Sequence, residues 1–286
     1  MTTQLTTTNH ATDVVGLTYV YPVISRRLGG LSIGVNFNIN NACNWRCIYC
    51  QVPDLKLGAA PKLDAELLEV ELRFFLNDVL QGDFYERFSV DKEKRVIKDI
   101  AIAGNGEPTS LKEFAVAIKL IGRIATEMGV FPKSQFVLIT NGSLVHQAKV
   151  EEGLKVLNSY GGEVWFKFDS ATYEGRSSIN NTAQSYQASF QNLKLASQLC
   201  KTKIQTCLVN YNQQGFLQQE HDAYLGFLRQ LQAECVNVQD IMLYTLARPS
   251  LQPEAGHLVA LDLEVLNAFA HEIKEMGFNV SVNKQI

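Results

Sequence analysis

The sequence predicts an α/β fold, a partial (βα)6-type parallel barrel. Apolar runs of strand length alternate with longer helical patterns, candidate strands carry polar residues on one face, and no linker splits the chain. Strands are expected at Leu31–Phe37, Val96–Ala103, Gln135–Thr140, Val164–Phe168, Lys203–Val209, Val236–Tyr244 and Asn279–Val282. Helices are expected at Asp64–Leu80, Leu111–Met128, Leu144–Asn158, Gln184–Cys200, Gln214–Gln232 and Asp262–Met276. This alternation makes βαβ units, right-handed crossovers and a parallel sheet. A parallel strand buried on both faces reads apolar throughout. Here Ile33, Val35, Phe37 and Ile39 share one face of the first strand, and Ser32, Gly34, Asn36 and Asn38 the other. Val164, Phe166 and Phe168 alternate with Trp165, Lys167 and Asp169, and Gln205 shares a face with Cys207. Helices outside and a polar lumen inside account for this pattern, with the site at the C-terminal strand ends. Residues 1–25 read as an N-terminal extension and 26–286 as the barrel domain.

The chain has 286 residues, 46% of them hydrophobic, and a net charge of −3. That charge argues against a polycation, and no DNA partner is expected. Lys92, Lys94, Arg95 and Lys98 alternate with acids and lack interleaved aromatics, so they offer RNA no stacking platform. No apolar stretch is long enough to span a membrane. Met1 to Asp13 is Thr-rich without an apolar core, so it is read as a frayed start and a cytoplasmic location is expected.

The sharpest feature follows the first strand: Cys43-Asn44-Trp45-Arg46-Cys47-Ile48-Tyr49-Cys50. Three thiols spaced four and three apart let one loop wrap three corners of a cube. Soft thiolates select iron–sulfur clusters, Zn or Cu(I). Structural Zn takes four ligands, and no fourth Cys or His lies nearby in sequence. Three ligands leave an open coordination position. The alternatives are three buried apolar thiols, or Zn completed by a distant residue. Cys200, Cys207 and Cys235 are scattered singly and read as core thiols.

Cys-x3-Cys-x2-Cys after a first strand, with Tyr49 just before the last Cys, resembles the radical S-adenosylmethionine superfamily, from about Arg26 to Arg248. The resemblance implies that Cys43, Cys47 and Cys50 hold a 4Fe–4S cluster whose unique iron is chelated by S-adenosylmethionine. Reduction would then cleave the sulfonium to a 5′-deoxyadenosyl radical that abstracts hydrogen from substrate. An electron donor such as flavodoxin or ferredoxin is implied as partner. Gly104-Asn105-Gly106-Glu107-Pro108 resembles the family's Gly-Gly-Glu-Pro segment, which implies cofactor binding, with Glu107 as counter-charge to the ammonium. Ile139-Thr140-Asn141-Gly142-Ser143 looks like its Thr-Asn-Gly turn, implying a cofactor contact at Asn141. Lys167 and Asp169 stand where the family contacts cofactor or substrate; a buried ion pair is the alternative. Gln205 is a further candidate of that kind, and Tyr49 belongs to the same cofactor set.

Ser25-Arg26-Arg27-Leu28-Gly29, Lys167-x-Asp169, Ile204-Gln205-Thr206 and Tyr244-Thr245-Leu246-Ala247-Arg248-Pro249 resemble the wyosine-synthase-like branch. Its members act on a tRNA guanosine, so an RNA nucleoside is one substrate class implied. This chain has no Cys before Cys43, so that branch's second cluster has no ligands in it. Tyr244 is the catalytic candidate and Arg248 the substrate-contact candidate. The competing functional class is a non-catalytic iron–sulfur sensor or electron carrier.

Overall fold

The computed structural model describes residues 15–25 and 29–283. The segment expected to be a frayed start, and Arg26, Arg27 and Leu28, lie outside the described residues. The chain runs β1 (Val20–Ser25), β2 (Gly30–Val35), β3 (Ala42–Cys43), β4 (Lys56–Leu57), α1 (Ala65–Gln81), α2 (Phe84–Arg87), β5 (Ile97–Ile102) and α3 (Phe114–Glu127). It continues through β6 (Gln135–Thr140), α4 (Ala148–Ser159), β7 (Glu163–Lys167), α5 (Tyr173–Asn180), α6 (Tyr186–Leu199), β8 (Lys201–Cys207) and β9 (Val209–Tyr211). It closes with α7 (Gln218–Ala233), β10 (Ile241–Tyr244), β11 (Leu258–Ala260), α8 (Leu263–Glu275) and β12 (Val280–Asn283).

Side chains start several helices. Asp64 accepts from the Leu67 amide at the head of α1, Thr172 from Gly175 at α5, Ser185 from Ala188 at α6 and Asp262 from Glu264 at α8. Along α3, Phe114, Ala117, Ile118, Ile121, Ile124 and Ala125 are buried, the spacing of one helical face.

The main sheet has eight strands in the order β1-β2-β5-β6-β7-β8-β10-β12. Every pair is parallel except β1 with β2. The order never reverses, so this is a progressive half-barrel and not a doubly wound sheet. Six βα units run from β2 to α8, and β12 ends the series. The two faces bury different things. Ile33, Val35, Ile100, Ile102, Phe136, Leu138, Val164, Phe166, Ile204, Ile241 and Leu243 belong to the large core shared with the helices. The intervening residues Ala101, Val137, Trp165 and Met242 form a separate small cluster on the opposite face. By the same alternation Ser32, Gly34, Asn36, Lys167, Gln205, Cys207 and Tyr244 share that inner face. The polar lumen expected from the sequence is therefore present.

β1 lies inside the segment read as an extension. Its Pro22 masks a strand in sequence, but proline is tolerated on an edge strand, and β1 is the sheet's edge. Thr18 and Tyr19 donate their amides to Glu71 of α1, both at 2.7 Å, tying this edge to the helical layer. Also unanticipated are α2, α5 and the β9–β11 and β3–β4 ribbons. Among the described residues no helix is long and apolar enough to cross a membrane.

His221 of α7 joins α8. Its ring lies 3.0 Å from Asp222 on its own helix and 3.0 Å from Glu272 on α8, against Phe216 and Phe269. Burial works against its charge, but the two carboxylates outweigh burial and raise its pKa. A raised histidine pKa adds stability that is fully present below about pH 6.5 and is lost as pH climbs through the folded value. Both carboxylates are well exposed, so the contribution is under about 1 kcal/mol. Between about pH 6 and about pH 8 the melting temperature should fall more in the parent chain than in His221→Gln. Parallel pH profiles would disprove the clamp.

Candidate active site

The cysteine loop sits beyond the C-terminal end of β2, beside the loops that follow β5, β6 and β7. Its geometry is set from all sides. Asn36 accepts the amides of Asn38 (2.9 Å) and Asn105 (3.1 Å), and Asn38 donates to the Ala42 carbonyl at 2.8 Å. Asn105 donates to Asn41 at 2.7 Å. Gly106 packs so tightly that a Cβ there would lie 2.0 Å from the Ala42 carbonyl oxygen. Gly104 adopts φ +145°, where only glycine is unstrained. The Gly104–Glu107 segment thus fits against the start of the cysteine loop.

Glu107 is buried and accepts four hydrogen bonds. Its Oε1 accepts from the Thr109 amide (3.0 Å), Thr109 Oγ1 (2.6 Å) and Thr140 Oγ1 (2.6 Å), and its Oε2 from the Asn141 amide (2.7 Å). Burial raises its pKa, and the hydrogen bonds oppose the rise. The carboxylate cross-links the ends of β5 and β6. Asn141 in turn donates to Asn44 of the cysteine loop at 2.9 Å, and Asn44 donates to Ser143 at 2.7 Å.

On the other side, Asp169 gathers three donors. Tyr49 donates its hydroxyl, Asn180 its side-chain amide at 2.7 Å, and Cys207 its backbone amide at 2.9 Å. Asn180 also donates to Cys47 Sγ at 3.3 Å. Lys167 donates to the Tyr244 hydroxyl at 2.6 Å and lies over the Tyr49 and Tyr244 rings, 4.9 and 5.3 Å from their centroids. Burial works to lower the Lys167 pKa; Tyr244 and Asp169 are among the groups that outweigh it, and the net shift is upward. Gln205 lies beside Lys167 in the β7–β8 register and is buried.

Residues near the C-terminus strap the loop from a third direction. Ser250 Oγ donates to the Ile48 carbonyl at 2.6 Å and to that of Cys50 at 3.1 Å, and the Leu251 amide donates to the Cys50 carbonyl at 3.0 Å. Gln252 donates to Val52 at 3.1 Å, and Arg46 pairs with both oxygens of Glu254 at 2.7 Å. Arg248 begins this strap; its carbonyl accepts from Gln51 at 3.1 Å, and its charge acts on the buried Tyr21 of β1.

The thiols fit a cationic soft metal centre. Burial raises Cys43 to about 12, the backbone amide of Trp45 opposing, and the charges of Glu107, Cys47 and Cys50 raise it further. Burial likewise raises Cys47 to about 11, and it raises Cys50, which the amides of Val52 and Gln51 oppose. Three neighbouring thiolates here need a cation to ionise together, and N–H groups aimed at sulfur are how a protein supports a thiolate-bound cluster. Among the described residues no three His, Cys, Asp or Glu side chains converge on one mononuclear ion.

The structure brings together residues that the sequence marked singly: Tyr49 with Asp169, Glu107 with Asn141, and Lys167 with Tyr244. Sequence reasoning missed Asn44, Asn180, Ser143, Arg46–Glu254 and the Ser250–Gln252 strap. Of the three solitary cysteines, Cys200 and Cys207 are buried, but Cys235 is exposed and is not a core thiol.

A family model for the radical SAM superfamily matches residues 37–217. Among curated proteins, a GTPase Obg of Brachyspira hyodysenteriae is 30% identical over 135 residues, 47% of this chain and 17% of that protein. A UPF0026 protein of Helicobacter pylori is 31% identical over 137 residues, 47% of this chain and 38% of that protein. The chain thus matches less than half the length of these relatives. Among solved structures, a radical SAM methyltransferase from Sphaerobacter thermophilus superposes with TM-score 0.58 at 13% identity, covering 94% of this chain and 70% of that one. SuiB of Streptococcus suis bound to S-adenosylmethionine gives 0.57 at 11%, covering 91% and 52%. TYW1 with a lysine-pyruvate adduct bound gives 0.56 at 16%, covering 85% and 73%. At these identities the superpositions show a common fold, and the match over residues 37–217 shows more: the chain belongs to the radical SAM superfamily.

Proposed function

We propose that the protein is an enzyme that carries a 4Fe–4S cluster on Cys43, Cys47 and Cys50 and reductively cleaves S-adenosylmethionine beside it. The observation that carries this reading is the three-thiol loop, supported by N–H donors and held against the β5, β6 and β7 ends by Asn105, Asn141 and Asn180. The cluster, when bound, supplies the electron for sulfonium cleavage and an open iron for the cofactor's amino and carboxylate groups. The chain's residues then have distinct tasks. Glu107 fixes Asn141 and, through it, Asn44. Asp169, held by Tyr49 and Asn180, and Lys167 present a carboxylate and an ammonium to the lumen, as a zwitterionic cofactor or polar substrate requires. The sheet and its helices line one side of the lumen, which limits side reactions of a reactive intermediate with solutes.

The substrate class we propose is a nucleoside in RNA. It rests on the Lys167-x-Asp169 and Tyr244–Pro249 segments, with Arg248 as the substrate-side cation. A small acidic one-electron carrier is proposed as the reductant.

Binding of S-adenosylmethionine to the anaerobic holoenzyme tests the reading. The reduced cluster's electron paramagnetic resonance spectrum should shift when cofactor is added; an unchanged spectrum at saturating cofactor would turn the reading to a sensor or carrier. The strap gives a separate test. Ser250→Ala combined with Glu254→Ala should speed iron loss to a chelator at least about fivefold by letting the loop open locally. Equal rates would show that the strap does not hold the loop.

A further inference from the structure

The proposed reaction begins when the cluster gains one electron, so whatever sets the cluster's reduction potential sets how strong a reductant is needed; the inference rests on that reading. The three thiols are supported differently. Trp45 aims its backbone amide at Cys43, and Val52 and Gln51 aim theirs at Cys50. Main-chain donors of this kind persist whatever side chains the loop carries. Cys47 is supported by side chains, those of Asn180 and Tyr49. The Tyr49 hydroxyl gives its one proton to Asp169. The Asn180 amide donates to Cys47 Sγ at 3.3 Å.

Asn180 is held in this place from several sides. Ile179, Asn180 and Asn181, at the end of α5, meet Ile48, Cys47 and Arg46 in turn. The Ile48 amide donates to the Ile179 carbonyl at 2.8 Å, and Asn181 Nδ2 donates to the Arg46 carbonyl at 2.9 Å. Asn180 also donates to Asp169 Oδ2 at 2.7 Å. That oxygen already accepts from the Tyr49 hydroxyl, and accepting again it turns the NH2 group of Asn180, not its carbonyl, toward the cysteine loop. Asn180 is 1% exposed, so water does not compete for the sulfur.

The remaining charges around Cys47 are mixed. The Asp169 carboxylate opposes negative charge on this sulfur and the Lys167 ammonium favours it. The negative end of the α5 dipole lies on the same side as Asp169. Reduction adds negative charge to a cluster, and an N–H aimed at a sulfur ligand stabilises that charge and raises the potential.

We infer that Asn180 tunes the cluster: its N–H to Cys47 Sγ makes the one-electron reduction easier, and Asp169 holds the amide in the orientation that does so. The reductant loses the electron that the cluster gains, and no proton or group moves.

The test is a redox titration of the anaerobic, reconstituted holoenzyme against dyes of graded potential, without S-adenosylmethionine, followed by the reduced cluster's electron paramagnetic resonance signal. Asn180→Leu keeps a branched side chain and removes the N–H donors; Asn180→Ala removes them without the added bulk. Both should bind as much iron as the parent. In both, the equilibrium constant for reduction should fall about tenfold, a drop in potential of about 59 mV for a one-electron couple. Asn181→Gly keeps the left-handed backbone at φ 47° and removes only the side-chain bond to Arg46, and it should titrate with the parent. After exchange into deuterium oxide, electron–nuclear double resonance of the reduced parent should show a deuteron coupling that both Asn180 variants lose. Parent-like potentials in both Asn180 variants, or an unchanged deuteron coupling, would overturn this inference alone. So would an equal fall in Asn181→Gly, which would assign the effect to anchoring of the loop. Iron loss in both Asn180 variants would also overturn it, marking the residue as structural. A parent chain that binds no iron, or whose iron shows no reversible one-electron couple, would overturn the functional reading and this inference together.

Discussion

Cys47→Ala should reduce reconstituted iron from about four per chain to background. Of the three thiols it is the most enclosed, with Asn180 donating to its sulfur at 3.3 Å and Asp169 held by the same amide. A cubane that loses one of three protein thiolates keeps only two thiolate anchors. The metal-free fold should tolerate the change. The variant removes a weak acceptor from Asn180, a loss of about 1 kcal/mol. Iron content falling while the urea midpoint barely moves is the expected pair of readings. Cys235→Ala is the control: that thiol is exposed, and iron should be unchanged. Full iron in Cys47→Ala would remove the loop from the metal site.

Glu107→Ala should destabilise the metal-free chain by about 3–5 kcal/mol, because it leaves four buried donors facing a cavity. Glu107→Gln keeps one acceptor but turns an NH2 toward a donor, and should fall between, at about 1–3 kcal/mol. Denaturant unfolding of metal-free protein measures both. An apo Glu107→Ala chain as stable as the parent would contradict the buried-hub geometry.

Much of this architecture was legible because its signals are local. The alternation of Ile33, Val35 and Phe37 with Ser32, Gly34 and Asn36 reports a two-faced strand directly, and three cysteines in eight residues need no partner elsewhere to be noticed. The strap was invisible for the opposite reason. Ser250 and Ile48 are 202 positions apart, and nothing about a serine after Arg248-Pro249 says which carbonyl it will meet. β1 hid behind Pro22, whose missing N–H is harmless only once the strand is known to be an edge. Asn180 was passed over because α5 is short and polar, and its position against Cys47 depends on how that helix returns to the loop; the Ile48 amide to Ile179 carbonyl bond at 2.8 Å records that return. Glu107 shows a subtler limit. The motif drew attention to Glu107, but its hydrogen bonds to Thr109, Thr140 and Asn141 could not be read from sequence spacing.

The central claim is that a three-thiol loop holds a cluster open to S-adenosylmethionine. It is tested most directly under anaerobic conditions, by reconstituting the protein, adding dithionite and S-adenosylmethionine, and quantifying 5′-deoxyadenosine. The account predicts slow formation of that nucleoside by the parent chain and none by Cys47→Ala. A fully iron-loaded, dithionite-reduced parent that forms no 5′-deoxyadenosine and shows no cofactor-dependent change in its spectrum would contradict it.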